Sequence, residues 1–331
     1  VRAGGRTLTL LGNPRYFLIL KSLAESAKGQ RDLRRDAGFP AQSTLRGHLE
    51  GLEKARVISR RRRDSFSATL EYELTDPGRE LLGVATSLGR WLAAAPRRPI
   101  ELGSDPVKAA IKGLVEGWSA TVLTTLAAEP LSLTELDKRI AAVSYPTLER
   151  CLDTMRLAEQ LEVGERTPRG TPYAVTGWLR RGVGPLTLGA RWEHRHQPEG
   201  VASIEPSDID GALMLGGPLF ELSGEVSGVC QLAVKIPDGK RQRRSLGFVE
   251  VQCGKIKFRA VYPQVKPDAW ASGTTDTWFA AVIDADKSGL KMSGNRELAE
   301  AVFDGLHQAL FEEETDGAEP PSRVAELEAQ G

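Results

Sequence analysis

Long apolar runs are missing from this chain. Nowhere do about 18 apolar residues follow one another, so no membrane-spanning helix is expected, and no charged-then-apolar leader is visible. Cysteine is scarce: Cys151, Cys230 and Cys253 lie far apart, match no zinc spacing and read as buried thiols of a reducing cytosol. The four histidines lie away from any matching acid or cysteine pattern. His194 and His196 form a His-x-His pair, but nothing nearby in sequence offers a third metal ligand, and the pair reads as an exposed helix end. A Gly-x-Ser-x-Gly elbow, a phosphate loop and dinucleotide-binding glycines are also absent. No catalysis, cofactor or metal is therefore expected.

Net charge is absent too, but only in the sum. Residues 1–100 hold 19 basic and 10 acidic side chains, a balance of +9. Residues 101–200 stand at −1, residues 201–310 at −2, and residues 311–331 at −6. Any polyanion is thus expected to meet the first hundred residues.

The basic excess centres on one stretch. Leu45, Leu49 and Leu52 recur at helical spacing over Ala41 to Lys54, which turns Gln42, Ser43, Thr44, Arg46 and His48 toward the outside. Directly after it comes Arg60-Arg61-Arg62-Arg63. A charge run is usually a solvated face, and an amphipathic helix is usually packed on something. In sequence, however, the two suit double-stranded DNA: a polar helix face for the major groove, with Arg46 and His48 at base edges, and arginines for the phosphates.

The flanking order supports this reading. Asn13-Pro14 starts a helix continued by Phe17, Leu20 and Leu23, and a short helix around Arg31 to Asp36 ends at Gly38 and Pro40. Val57–Arg62 and Thr69–Leu74 read as a hairpin, and Thr75 can cap a helix running to about Leu92. The leucine helix, the hairpin and the following Tyr72, Leu74, Thr75, Gly78 and Leu81 resemble the HxlR group of MarR-like winged-helix transcription regulators. The resemblance implies that the helix Ala41–Lys54 enters the major groove, that the wing around Arg62–Ser67 touches the backbone, and that the last helix makes a dimer.

The pattern then repeats. Leu20, Leu23, Leu33, Thr44, Leu45 and Leu49 match Leu123, Leu126, Leu136, Thr147, Leu148 and Leu152 at a shift of 103. Past the hairpin the shift is 101, pairing Tyr72 with Tyr173, Thr75 with Thr176, Arg90 with Arg191 and Trp91 with Trp192. Glu149 stands in place of Arg46 and Glu159 in place of Arg56, and the arginine run becomes Val163-Gly164-Glu165-Arg166. Arg150, Arg166 and Arg169 keep a weaker case for DNA contact, but the second copy is expected mainly to imitate a second subunit.

Pro96–Ser104 and Gln197–Asp208 read as linkers. Beyond them Val229–Ile236, Ser245–Val251 and Ile256–Tyr262 form an antiparallel meander. Helices follow at about Asp276–Ala285 and Arg296–Phe311, with a short extended piece at Leu290–Ser293. Asp268–Thr274, Trp278-Phe279 and Ser288–Asn295 resemble the sterol-carrier-protein type of lipid-binding domain. That resemblance implies an apolar ligand between sheet and helices, lined by Trp270, Trp278, Phe279, Val282, Leu290, Phe303 and Leu306. Such a row is as often plain core.

The expected architecture is multi-domain. A winged helix-turn-helix domain over residues 1–98 is the main DNA reader, and a second winged-helix repeat over 99–197 is its pseudo-dimer partner. Both are mainly α with a β-hairpin wing. An α+β sterol-carrier-like domain follows at 205–311, then an acidic tail, 312–331, that reads as disordered. The expected function is a cytoplasmic transcription regulator whose DNA affinity is modulated by an apolar small molecule, with a homodimer left open. The alternative is a hydrophobic-ligand carrier or interaction scaffold whose winged helices only dimerise. Deleting residues 312–331 should tighten DNA binding at low salt if the tail screens the basic wing; unchanged affinity would dispose of that role.

Overall fold

The computed structural model describes residues 2–62, 70–197, 204–238, 241–259 and 266–312. Arg63, the hairpin tip up to Thr69, the turn at Gly239-Lys240, the 260–262 end of the expected third meander strand and the acidic tail beyond Glu312 lie outside the described residues.

The chain begins with α1 (Gly5–Leu11) and α2 (Pro14–Glu25). Asn13 caps α2 by accepting from the Arg15 N–H, and Pro14 takes the first helical position, where no donor is needed. Next come β1 (Lys28–Gly29), α3 (Gln30–Asp36) and α4 (Gln42–Lys54). Gly38 and Phe39, both at positive φ, turn the chain between α3 and α4. Strands β2 (Ile58–Arg62) and β3 (Leu70–Leu74) pair antiparallel, with Arg60 opposite Tyr72, and β1 joins the far edge of β3. Helix α5 (Asp76–Ala93) follows, capped by Thr75.

The same order then recurs. It runs α6 (Pro106–Val115), α7 (Gly117–Ala128), β4 (Leu131–Ser132), α8 (Leu133–Arg139), α9 (Tyr145–Leu157), β5 (Leu161–Val163) and β6 (Pro172–Val175). Both small sheets have the long hairpin's second strand in the centre. The likeness extends to local bonds. Arg56 after α4 and Glu159 after α9 both stand at φ 60. The Thr75 hydroxyl donates to the Arg56 and Val57 carbonyls, and the Thr176 hydroxyl donates to those of Glu159 and Gln160. Where the first half has one helix after the hairpin, the second has two, α10 (Gly177–Arg181) and α11 (Val183–His196), separated at Gly182.

Helices α5 and α11 pack against each other, and tryptophans tie α5 to both α10 and α11. The Trp91 indole donates to the Trp178 carbonyl at 2.7 Å, and the Trp192 indole donates to the Pro77 carbonyl at 2.8 Å. Adding 101 to Trp91 and Pro77 gives Trp192 and Trp178, so exchanging the halves carries one bond onto the other. Trp178 returns a bond to the Trp91 carbonyl, and the two rings stack at 4.8 Å. One continuous apolar core runs from Leu8 to Leu215 through both halves.

The remaining chain is a sheet with helices on one face. Helix α12 (Pro206–Gly216) leads to β7 (Gly228–Asp238), β8 (Arg241–Gln252), β9 (Lys255–Arg259), β10 (Ala269–Thr274), α13 (Thr275–Ile283), β11 (Lys291–Gly294) and α14 (Arg296–Phe311). The strand order is β11-β10-β7-β8-β9, with β10 parallel to β7 and the other pairs antiparallel. Cys230, Leu232, Val234 and Ile236 point from β7 into a second core shared with α13 and α14. Several elements depart from the sequence expectation: helices α1, α6 and α12 were not anticipated, and β10 is a strand where only a motif was seen. Its Ala-Trp-Ala-Ser-Gly carries little strand preference of its own; pairing on both edges, with β7 and β11, makes it one.

Helix α1 has no capping side chain of its own. Glu193 of α11, only 3% exposed, does the work instead, accepting from the Gly4 and Thr7 N–H groups at 3.0 and 2.7 Å and from the Thr7 hydroxyl at 3.0 Å. Three donors to one buried carboxylate make a strong joint. Glu193→Ala should therefore cost on the order of 3 kcal/mol, because the donors are left buried and unmatched. Chemical denaturation checks this: the midpoint should fall, and an unmoved midpoint would refute the joint.

Candidate nucleic-acid interface and apolar cavity

Helix α4 buries Leu45, Leu49 and Leu52 against the core and leaves Gln42, Ser43, Thr44 and Arg46 exposed. Glu50, which sequence reasoning did not single out, shares that exposed side. A carboxylate there can accept from a cytosine amino group but repels phosphate. His48 departs from the outward placement expected of it. It follows Leu45 by three and precedes Leu52 by four, which sets it on the flank of the buried stripe. Its ring meets Tyr16 edge-on at 4.8 Å, and its Nε2 is buried with no hydrogen-bond partner among the described residues. Burial, and after it the nearby Arg15 cation, pushes the imidazole below the usual histidine range.

The hairpin arginines are not equivalent. Arg60 pairs with Glu53 at 2.6 Å and lies over the Tyr72 ring, 5.9 Å from its centroid, while Arg61 reaches Glu73 at 3.5 Å. Arg62 is exposed and has no ion-pair partner among the described residues. Arg63 lies outside them. Intramolecular carboxylates thus compete with phosphate for the first two arginines.

The corresponding side of the second half carries exposed apolar residues. Trp118, Tyr145, Leu157 and Val163 are exposed, Leu157 by 71%, where the matched positions of the first half hold Arg15, Gln42, Lys54 and Arg60. Glu149 replaces Arg46. Glu159, which replaces Arg56, pairs with Arg97 at 2.6 Å.

A partly open cavity of about 110 Å³ lies where α11 meets the C-terminal layer. Of the seven residues expected to line an apolar site, Trp278, Phe279, Val282 and Leu306 do so. Phe303 is fully buried beside Trp278 in the core, and Leu290 packs in the same core. Trp270 is on the opposite face of the sheet, because β10 alternates and turns Ala269 and Ala271 inward. Among the other walls, Leu186 and Ala190 of α11 and Arg2 near the chain start belong to segments the resemblance does not cover.

Polar groups gather at one end. Arg2 donates to the Ala120 carbonyl at 2.9 Å and to the Thr124 hydroxyl. Asp208 accepts from the Glu205 N–H at 2.9 Å and from the Ala3 N–H; burial raises its pKa despite those bonds and the charge of Arg2. The His-x-His pair splits around α11: His194 faces Asp276 of α13 at 3.2 Å, and His196 faces Glu80 of α5 at 2.8 Å. Among the described residues no group of three His, Cys, Asp or Glu side chains is placed to hold a metal, and no helix is long and apolar enough to cross a membrane.

Residues 10–98 match the family model described as HxlR-like helix-turn-helix, which spans the segment from the end of α1 to just past α5. That segment is therefore similar to an HxlR-like helix-turn-helix. No curated protein matches the chain.

Asp36 keys the orientation of this helix-turn-helix. It accepts from the Ser22 hydroxyl of α2 at 2.7 Å and from the Lys28 ammonium of β1 at 3.1 Å. Ser22 first, then Lys28, hold its carboxyl down to about 2. Because the folded form ionises more readily than the unfolded one, this stabilisation is present above the ordinary carboxyl pKa of about 4 and disappears as pH falls through about 2. Asp36→Asn should accordingly be less stable than the parent near neutral pH, with the gap closing across that window. A denaturation series in pH reads this directly, and a gap independent of pH would show that the charge plays no part.

Proposed function

We propose that the protein is a DNA-binding transcription regulator in which α4 reads the major groove and the β2–β3 hairpin holds the backbone. The observation that carries this is the exposed polar side of α4 within the segment that matches the helix-turn-helix family. The +9 balance of the first hundred residues supplies the long-range attraction to DNA. Gln42, Ser43, Thr44 and Arg46 are the base-edge candidates, and Arg60 to Arg63 the phosphate contacts.

The second half, 99–197, acts in this reading as a built-in second subunit. Supporting this are the repeated element order, the repeated threonine bonds and the tryptophan bonds that exchange between halves. A symmetric dimer makes each interface contact twice. Its exposed apolar residues and Glu149 suit phosphate less well than the first half's arginines, although Arg150, Arg166 and Arg169 are exposed there; with one reading helix per chain, a palindromic site would need two chains.

The C-terminal layer, 205–311, is the regulatory part. Its likeness to sterol-carrier domains and the cavity beside α13 favour an apolar effector that acts by preferring one arrangement of the winged helices. The alternative of a ligand carrier whose winged helices only dimerise is favoured by the apolar side of the second half, which resembles a protein-binding surface.

Salt dependence separates the two readings. With Arg60, Arg61 and Arg62 replaced by alanine, the slope of log affinity on log salt should soften by about 2 units if two of the three meet phosphate. A slope identical to the parent's would remove the hairpin from the interface, and no DNA binding by the parent at low salt would favour the carrier.

A further inference from the structure

The cavity beside α13 is a joint structure. Leu186 and Ala190 come from α11, Ala212 from α12, Phe279 and Val282 from α13 and Leu306 from α14. Any occupant therefore touches the second half of the tandem unit and the C-terminal layer together.

Size and charge narrow the occupant. At about 110 Å³ the cavity is somewhat smaller than the ~150 Å³ apolar void that takes up benzene, so it covers a small ligand and only part of a sterol or long acyl chain. Its two ionisable lining groups, Arg2 and Asp208, attract each other and are already bonded to Ala120, Thr124, Glu205 and Ala3. A charged ligand would find no unengaged countercharge, and burying it would be costly.

The far side of α11 leads toward the helix-turn-helix. Trp192 and His196 hold the start of α5 at Pro77 and Glu80. Helix α5 packs on α2 and β3, and α2 packs on α4.

We infer that this junction, rather than the interior of the C-terminal layer alone, is the effector site, that it takes a small uncharged apolar molecule of about the size of benzene, and that α11 carries its occupancy to α5. The inference rests on the regulatory reading above for its purpose but not for its test.

Fluorobenzene is a suitable probe on the full chain, followed by fluorine NMR. The parent should broaden and shift the probe signal, and Ala190→Leu with Ala212→Leu, which fills the cavity from two helices, should abolish the effect. Should that variant fold poorly, Val282→Ala offers the opposite test: the enlarged site should bind 4-fluorotoluene more tightly than the parent does. Hydrogen exchange in residues 76–93 should slow by about fivefold or more with probe bound to the parent, the size of an ordinary coupling between sites. No binding by the parent, binding indifferent to these substitutions, or exchange in α5 unaffected by the probe would each overturn the inference. A mixed-sequence duplex at low salt provides the separate arm. If no DNA binds while the probe results hold, the regulator reading fails and the junction site stands.

Discussion

A buried indole N–H must find an acceptor, and in this protein that requirement ties the two halves together. Trp91 and Trp192 each reach across to a backbone carbonyl of the other half, Trp91 to Trp178 of α10 and Trp192 to Pro77 at the start of α5, so equivalent bonds clamp the halves from both sides. The alignment of the rest follows from it. With α11 held along α5, Glu193 is positioned to cap α1, Arg191 to grip Asp284 through two bonds at 2.9 and 2.7 Å, and Leu186 and Ala190 to close the cavity against α13.

The clamp is symmetric, but the surfaces it carries are not. Where the first half offers Arg15, Gln42, Arg46, Lys54 and Arg60, the second offers Trp118, Tyr145, Glu149, Leu157 and Val163. Exposed positions are free to diverge because they contribute little to the fold, whereas Leu45 and Leu148, or Leu49 and Leu152, must stay apolar to fill equivalent parts of one core. A dimer of identical chains would have two equal reading faces. The tandem arrangement permits one face to keep its attraction for a polyanion while the other acquires a different chemistry.

The helix-turn-helix carries its own restraints. Hydrogen bonds from Ser22, Lys28 and Arg35 converge on Asp36, so the turn before α4 is fixed by charge as well as by packing. In the hairpin, Glu53 and Glu73 hold Arg60 and Arg61, which orders its base.

Local pattern alone was enough to find the buried stripe of α4, the caps at Asn13 and Thr75 and the span Arg296–Phe311, because helical periodicity and cap chemistry act between near neighbours. The inward turn of His48 was also legible in its spacing from Leu45 and Leu52, although its polarity argued for the surface. Other features were decided only by tertiary structure. Trp270 faces away from the helices because β10 is threaded between β7 and β11, a register that no local signal specifies. Phe303 and Leu306, three residues apart on one helix, part company: one fills the core and the other borders the cavity. The cavity itself brings Arg2, Ala190 and Val282 together from three remote stretches. Apolar periodicity marks which residues leave water; whether they meet a neighbour or an empty space depends on elements hundreds of residues apart, and only packing decides it.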